Sequence, residues 1–159
     1  RGMNWDLLSS ARLRMRSWTA FIWGANLIWW NTSHSRKCKC NNMYLGAEER
    51  SYIRVLQSQA EMLQADSQPG LIRDLTYRGT TFVRAYELRS SDRLLVYLFR
   101  DPLAGDRITA SFQLVSPKQT TAQWVDPRSG TILGGFAVTE GGQTVTTPFF
   151  EDDILLIIP

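Results

Sequence analysis

The sequence predicts an α/β segment followed by an all-β part, an antiparallel β-sandwich, and three observations predict it. A helix, a short apolar strand and a second helix are spaced through residues 1–66. Beyond that point the apolar period changes from helical to two. Turn residues then recur about every 8–12 positions, the spacing of a sandwich. The expected division is therefore 1–66 and 67–159.

The first helix is expected over residues 4–24. Asn4 or Asp6 can cap it, Leu8, Ala11, Met15, Trp18 and Ile22 recur on one face, and Gly24 ends it. Asn26-Leu27-Ile28-Trp29-Trp30-Asn31 is a short apolar run without helical period, as in a strand buried on both faces. A polar loop covers 32–46, and Asn31-Thr32-Ser33 is a glycosylation sequon that matters only in a eukaryotic secretory setting. The second helix is expected over 47–65, with Glu48 and Glu49 as a solvated first turn favoured by the helix dipole. Tyr52, Leu56, Ala60 and Leu63 form its stripe.

Helix, buried strand and helix is the local grammar of a parallel α/β sheet. One strand cannot build such a sheet, so its remainder is expected upstream of Arg1. No signal-peptide pattern opens the chain, which reads as a fragment whose compartment is open. On this reading the face of Met15, Trp18 and Ile22 lacks its partners. Residues 1–66 alone are then expected to aggregate, and 72–159 to fold independently.

Asp66-Ser67-Gln68-Pro69-Gly70 is turn chemistry and a boundary. After it, Tyr86 and Leu88 alternate with Glu87 and Arg89, and Leu94–Phe99 is continuously apolar, as in a central strand. Ile108, Ala110, Phe112 and Leu114 alternate with polar residues, as do Ala122 and Trp124. Segments at 131–138, 143–147 and 153–158 complete about seven strands. Asp126-Pro127-Arg128-Ser129-Gly130 suits a hairpin turn, with Pro fixing φ early and Gly able to take the left-handed position.

Composition narrows the function classes. The chain is 43% hydrophobic and 21% charged, within the globular range. Its net charge is +3, and the excess sits in the first third, at Arg12, Arg14, Arg16 and Arg36-Lys37-Cys38-Lys39. Those positions read as solvated, and no nucleic-acid partner is expected. The apolar stretch Trp18–Trp30 is 13 residues long and contains Gly24 and Asn26, too short for a membrane span of about 20, and reads as a buried core segment. His34, Cys38 and Cys40 form a His-x₃-Cys-x-Cys cluster. Structural zinc takes four ligands at other spacings, so two free thiols are expected and no metal.

Arg12-Leu13-Arg14-Met15-Arg16-Ser17-Trp18, then Gly24-Ala25, then Ile28-Trp29-Trp30-Asn31, resembles the seventh helix and eighth strand of clan A glycoside hydrolases. Trp124-Val125-Asp126-Pro127-Arg128-Ser129-Gly130 and the ending Pro148-Phe149-Phe150-Glu151-Asp152-Asp153-Ile154 are similar to the C-terminal sandwich of bacterial barrel glycosidases. That sandwich is often labelled collagen-binding, a label not taken literally here. The resemblance implies the C-terminal remnant of a (β/α)8 barrel, helix 7, strand 8 and helix 8, followed by the antiparallel β-sandwich.

The resemblance also implies chemistry. Retaining glycosidases use two carboxylates about 5 Å apart. In clan A they stand on the fourth and seventh strands, upstream of Arg1, so no catalytic residue is expected in this chain. Its own acids have plainer readings: Asp6 a helix cap, Glu151, Asp152 and Asp153 a charged edge. The end of the eighth strand is where a tryptophan supports the sugar ring. That role falls on Trp30 with Asn31, with Trp29, His34 and Tyr44 as further contacts around the loop. The implied partner is an oligo- or polysaccharide, without a cofactor. The alternative is a non-catalytic carbohydrate- or protein-binding sandwich. A solvent-facing Trp124 beside Tyr77 or Tyr86 would favour it, and a buried one would remove its best candidate.

Overall fold

A computed structural model describes residues 9–25, 46–79, 81–101 and 106–159. Among the described residues two helices, α1 (Ser10–Ile22) and α2 (Ala47–Ala60), precede nine strands. These are β1 (Gln68–Ile72), β2 (Thr76–Tyr77), β3 (Phe82–Arg89), β4 (Leu94–Asp101), β5 (Ala110–Ser116), β6 (Thr120–Val125), β7 (Ile132–Val138), β8 (Gly141–Thr146) and β9 (Asp153–Ile158). A six-stranded sheet runs β1-β3-β4-β9-β6-β7 and a three-stranded sheet runs β2-β5-β8. Among the described residues every pairing of these strands is antiparallel. The parallel strand expected at 26–31 lies outside the described residues.

Alternation builds the space between the sheets. Val96 and Leu98 of β4, Ile154 and Leu156 of β9 and Trp124 of β6 face Ala110, Phe112 and Leu114 of β5 and Val145 of β8 in one buried cluster. The register sets Leu98 against Ile154 and Ala122 against Phe136. The uninterrupted apolar run of β4 has the cause the sequence suggests: β4 is central, and seven of its eight residues are buried. Its other set, Leu95, Tyr97 and Phe99, joins Leu155 on the opposite face.

That opposite face is covered by the helices. Met15, Trp18, Phe21 and Ile22 of α1 and Val55 and Leu56 of α2 pack on it. The expectation that the Met15–Trp18–Ile22 face lacks partners is corrected: Trp18 and Ile22 are fully buried against the sandwich itself. A β-strand sends alternate side chains to opposite faces, so one apolar strand serves two layers.

Several boundaries differ from expectation. Helix α1 starts at Ser10, because the Ser9 side chain accepts a hydrogen bond from the Arg12 amide and caps it. The expected cap residues Asn4 and Asp6 lie outside the described residues. Helix α2 stops at Ala60, where the Arg93 guanidinium, from the β3–β4 turn, donates to the carbonyls of Gln59 and Met62 at 3.5 Å. Leu63 is therefore half-exposed instead of extending the stripe. The expected solvated first turn of α2 is engaged: Glu49 accepts from the Ser10 hydroxyl at 2.7 Å, and Glu48 accepts from the Tyr52 hydroxyl.

Pro69 and Gly70 lie inside β1 instead of a turn. An edge strand tolerates Pro because one N–H side needs no partner. The two strands missing from the expected seven are β1 and β2, the first punctuated by Pro-Gly and the second only two residues long. The hairpin at 126–130 forms as expected, with Gly130 at φ 75° and its amide donating to the Asp126 carbonyl at 2.8 Å.

Candidate functional site

The outer face of the six-stranded sheet carries a buried polar cluster. Arg14 sits on the buried side of α1, three residues from Ser17 and four from Trp18. Its Nε donates to Asp153 Oδ2 at 2.8 Å and its second guanidinium nitrogen to Asp153 Oδ1 at 2.7 Å, a two-pronged pair. The Tyr97 hydroxyl donates to the same carboxylate at 2.6 Å. The side chains of Arg14 and Asp153 are each only 1% exposed. Asp152, more open, accepts a further bond from Arg14 at 3.3 Å.

The charged edge expected at 151–153 is therefore corrected at Asp153. Strand β9 is central, between β4 and β6, and the carboxylate lies under α1. Burial alone would lower the Arg14 pKa, but the hydrogen bonds and charge of Asp153 outweigh it and hold the guanidinium protonated. The Tyr97 phenol is pushed well above its ordinary value by burial and by the Asp153 charge.

Around this pair the contacts are aromatic. Trp18 stacks on Tyr97 with ring centroids 5.5 Å apart, and Phe21 meets Trp18 edge-on. The Arg14 guanidinium lies 4.5 Å from the centre of the Tyr52 ring. The hairpin at 126–130 touches α2 as well: Ser51 donates to the Arg128 carbonyl at 2.9 Å, and the helix residue Val55 packs beside Gly130. This arrangement fastens helices to sandwich.

Beside the junction lies an open groove of about 560 Å³. Arg12, Arg16, Thr19 and Trp23 share one helical face and form one wall. Arg84 and Tyr86 of β3, with Phe99 and Asp101 of β4, form the floor. The register sets Arg84 directly opposite Phe99. Trp23 is 50% exposed and meets Tyr86 edge-on at 5.8 Å, and Tyr86 in turn lies 5.7 Å from Phe99. Arg84 and Asp101 pair at 3.8 Å with both side chains over half exposed.

The residues expected to touch sugar, Trp29, Trp30, Asn31, His34 and Tyr44, all lie outside the described residues, as do Cys38 and Cys40. Trp124 is 4% exposed, inside the sandwich core, which removes the best candidate for a binding face built on it. Among the described residues no group of three or more His, Cys, Asp or Glu could hold a metal. No described helix is long and apolar enough to cross a membrane. Sequence reasoning missed the groove, although Arg12, Arg16, Thr19 and Trp23 already stand at helical spacing. Their strand partners became visible only with the register.

No protein-family model matches the chain, and no curated protein matches it. A solved structure described as a glycoside hydrolase is similar, at 17% identity and a TM-score of 0.47. The match covers 70% of this chain and 25% of that one, so the chain spans a minor part of that protein's length.

Proposed function

We propose that the chain is the C-terminal portion of a glycoside hydrolase. It adds an accessory sandwich and the eighth-strand wall of the sugar cleft to a barrel whose catalytic carboxylates stand upstream. The observation that carries the accessory role is the Arg14–Asp153 pair. It binds the first helix to the last strand across 139 residues, so the sandwich is a rigid extension of the helical part and not a tethered module. The hydrolase part rests on the resemblance of 12–31 to the barrel family and of 124–130 to its sandwich. In this reading residues 1–66 are helix 7, strand 8 and helix 8, and Trp30 with Asn31 supports the sugar ring.

Hydrolysis of aryl glycosides and plant polysaccharides tests it, with this chain run beside a version extended upstream through its native reading frame. Only the extended form is expected to turn over. Trp30→Ala in that form is expected to lower kcat/KM by about tenfold or more, equivalent to roughly 1.4 kcal/mol of lost transition-state stabilisation. Activity in the short chain would mean that the carboxylates are misplaced. Inactivity of both forms would abandon the hydrolase reading.

A further inference from the structure

We propose that the groove between α1 and the β3–β4 floor binds a uronic-acid-bearing oligosaccharide. One sugar face lies against Trp23, where the helical wall meets Tyr86 on the floor, and its carboxylate lies between Arg12 and Arg84. The inference does not rest on the hydrolytic reading, since every residue it uses lies in the described part of the groove.

Size, shape and charge agree. A volume of about 560 Å³ falls within the range of small-ligand sites. Half-exposed Trp23, held edge-on beside Tyr86, offers the aromatic surface that a pyranose C–H face covers. Guanidiniums on both sides supply planar forks that match a carboxylate.

Each half of that chemistry excludes a simpler ligand. A neutral sugar would forgo the charge-assisted bonds that Arg12 and Arg84 can make to a carboxylate. A bare polyanion would leave the aromatic residues unused. The Arg84–Asp101 pair, 3.8 Å apart and solvent-screened, is weak enough for an incoming carboxylate to replace.

Calorimetric titration of the 159-residue chain at low salt tests this, using short oligogalacturonates and their methyl esters of equal length. The acid form is expected to bind about tenfold or more tightly than the ester, the usual scale of one charge-assisted contact. Trp23→Ala and Arg84→Gln should each weaken it about tenfold, while Phe149→Ala, exposed elsewhere, changes nothing. Thermal melts establish that the variants stay folded. If Trp23→Ala unfolds, Arg84→Gln decides alone. The proposal is overturned if neither sugar binds, if acid and ester bind equally, or if the folded variants bind like the parent. It is also overturned if an oligonucleotide or a sulfated polymer binds as tightly as the galacturonate.

Discussion

The two faces of the six-stranded sheet solve the same burial problem differently. The inner face meets the three-stranded sheet through an apolar cluster, with the buried Arg100 closing one end by donating to Thr81 and Asp106. The outer face meets two helices through aromatic rings that surround a buried ion pair. Apolar packing is tolerant of how two layers slide, because its energy follows area and not direction. A two-pronged guanidinium–carboxylate pair fixes position and angle together. The inner face therefore gives the sandwich its bulk, and the outer face sets where the helices sit on it.

Removing the helices should break the comparison most severely. Residues 72–159 alone would expose Leu95, Tyr97, Phe99 and Leu155 together with an uncompensated Asp153. The alternation of the strands suggested that this segment folds independently; the covered outer face changes that expectation to loss of cooperative thermal unfolding. A sharp melt near that of the whole chain would show the outer cluster to be dispensable.

Point substitutions separate the faces next. Arg14→Leu leaves Asp153 buried without its cation and should cost about 3–5 kcal/mol in chemical denaturation. Trp124→Ala on the inner face should cost a similar 3–5 kcal/mol through its cavity. The difference lies in rescue. Adding Asp153→Leu to Arg14→Leu should recover much of the loss, because a buried pair replaced by apolar groups is often neutral. If the two losses simply add, the pair is not coupled as the geometry requires.

The smallest expected effect is alkaline. Burial raises the pKa of both Tyr52 and Tyr97, with Glu48 reinforcing the first and Asp153 the second. The folded chain keeps phenol protons that the unfolded chain releases. This stability is complete below the ordinary tyrosine value of about 10 and is lost as pH rises above it. Tyr52→Phe should flatten that decline, and an unchanged slope would remove Tyr52 as its source.

How much of this was legible depended on whether a residue's type announced its surroundings. The period of two at Ile108–Leu114 and the continuous run at Leu94–Phe99 announced a sandwich with a central strand, and both formed. Pro69-Gly70 announced a turn because nothing local distinguishes an edge strand from one. Arg14 and Asp153 announced solvent, since a lone charge is rarely buried. Only their meeting, 139 positions apart, makes burial tolerable, and no local window contains both. Trp23 failed for the opposite reason: an aromatic residue in an apolar run reads as core, yet it stands half in water.

That separation has a consequence for synthesis. Helix α1 leaves the ribosome ahead of the strand that neutralises Arg14 and completes the cover of Trp18, which follows 139 residues behind. At about 5–20 residues per second, the helix waits roughly 7 to 30 seconds for its final partner. During that interval its indole and guanidinium face whatever else the nascent chain or the cell presents. Translation speed through the sandwich should therefore govern how much of this protein reaches its native form.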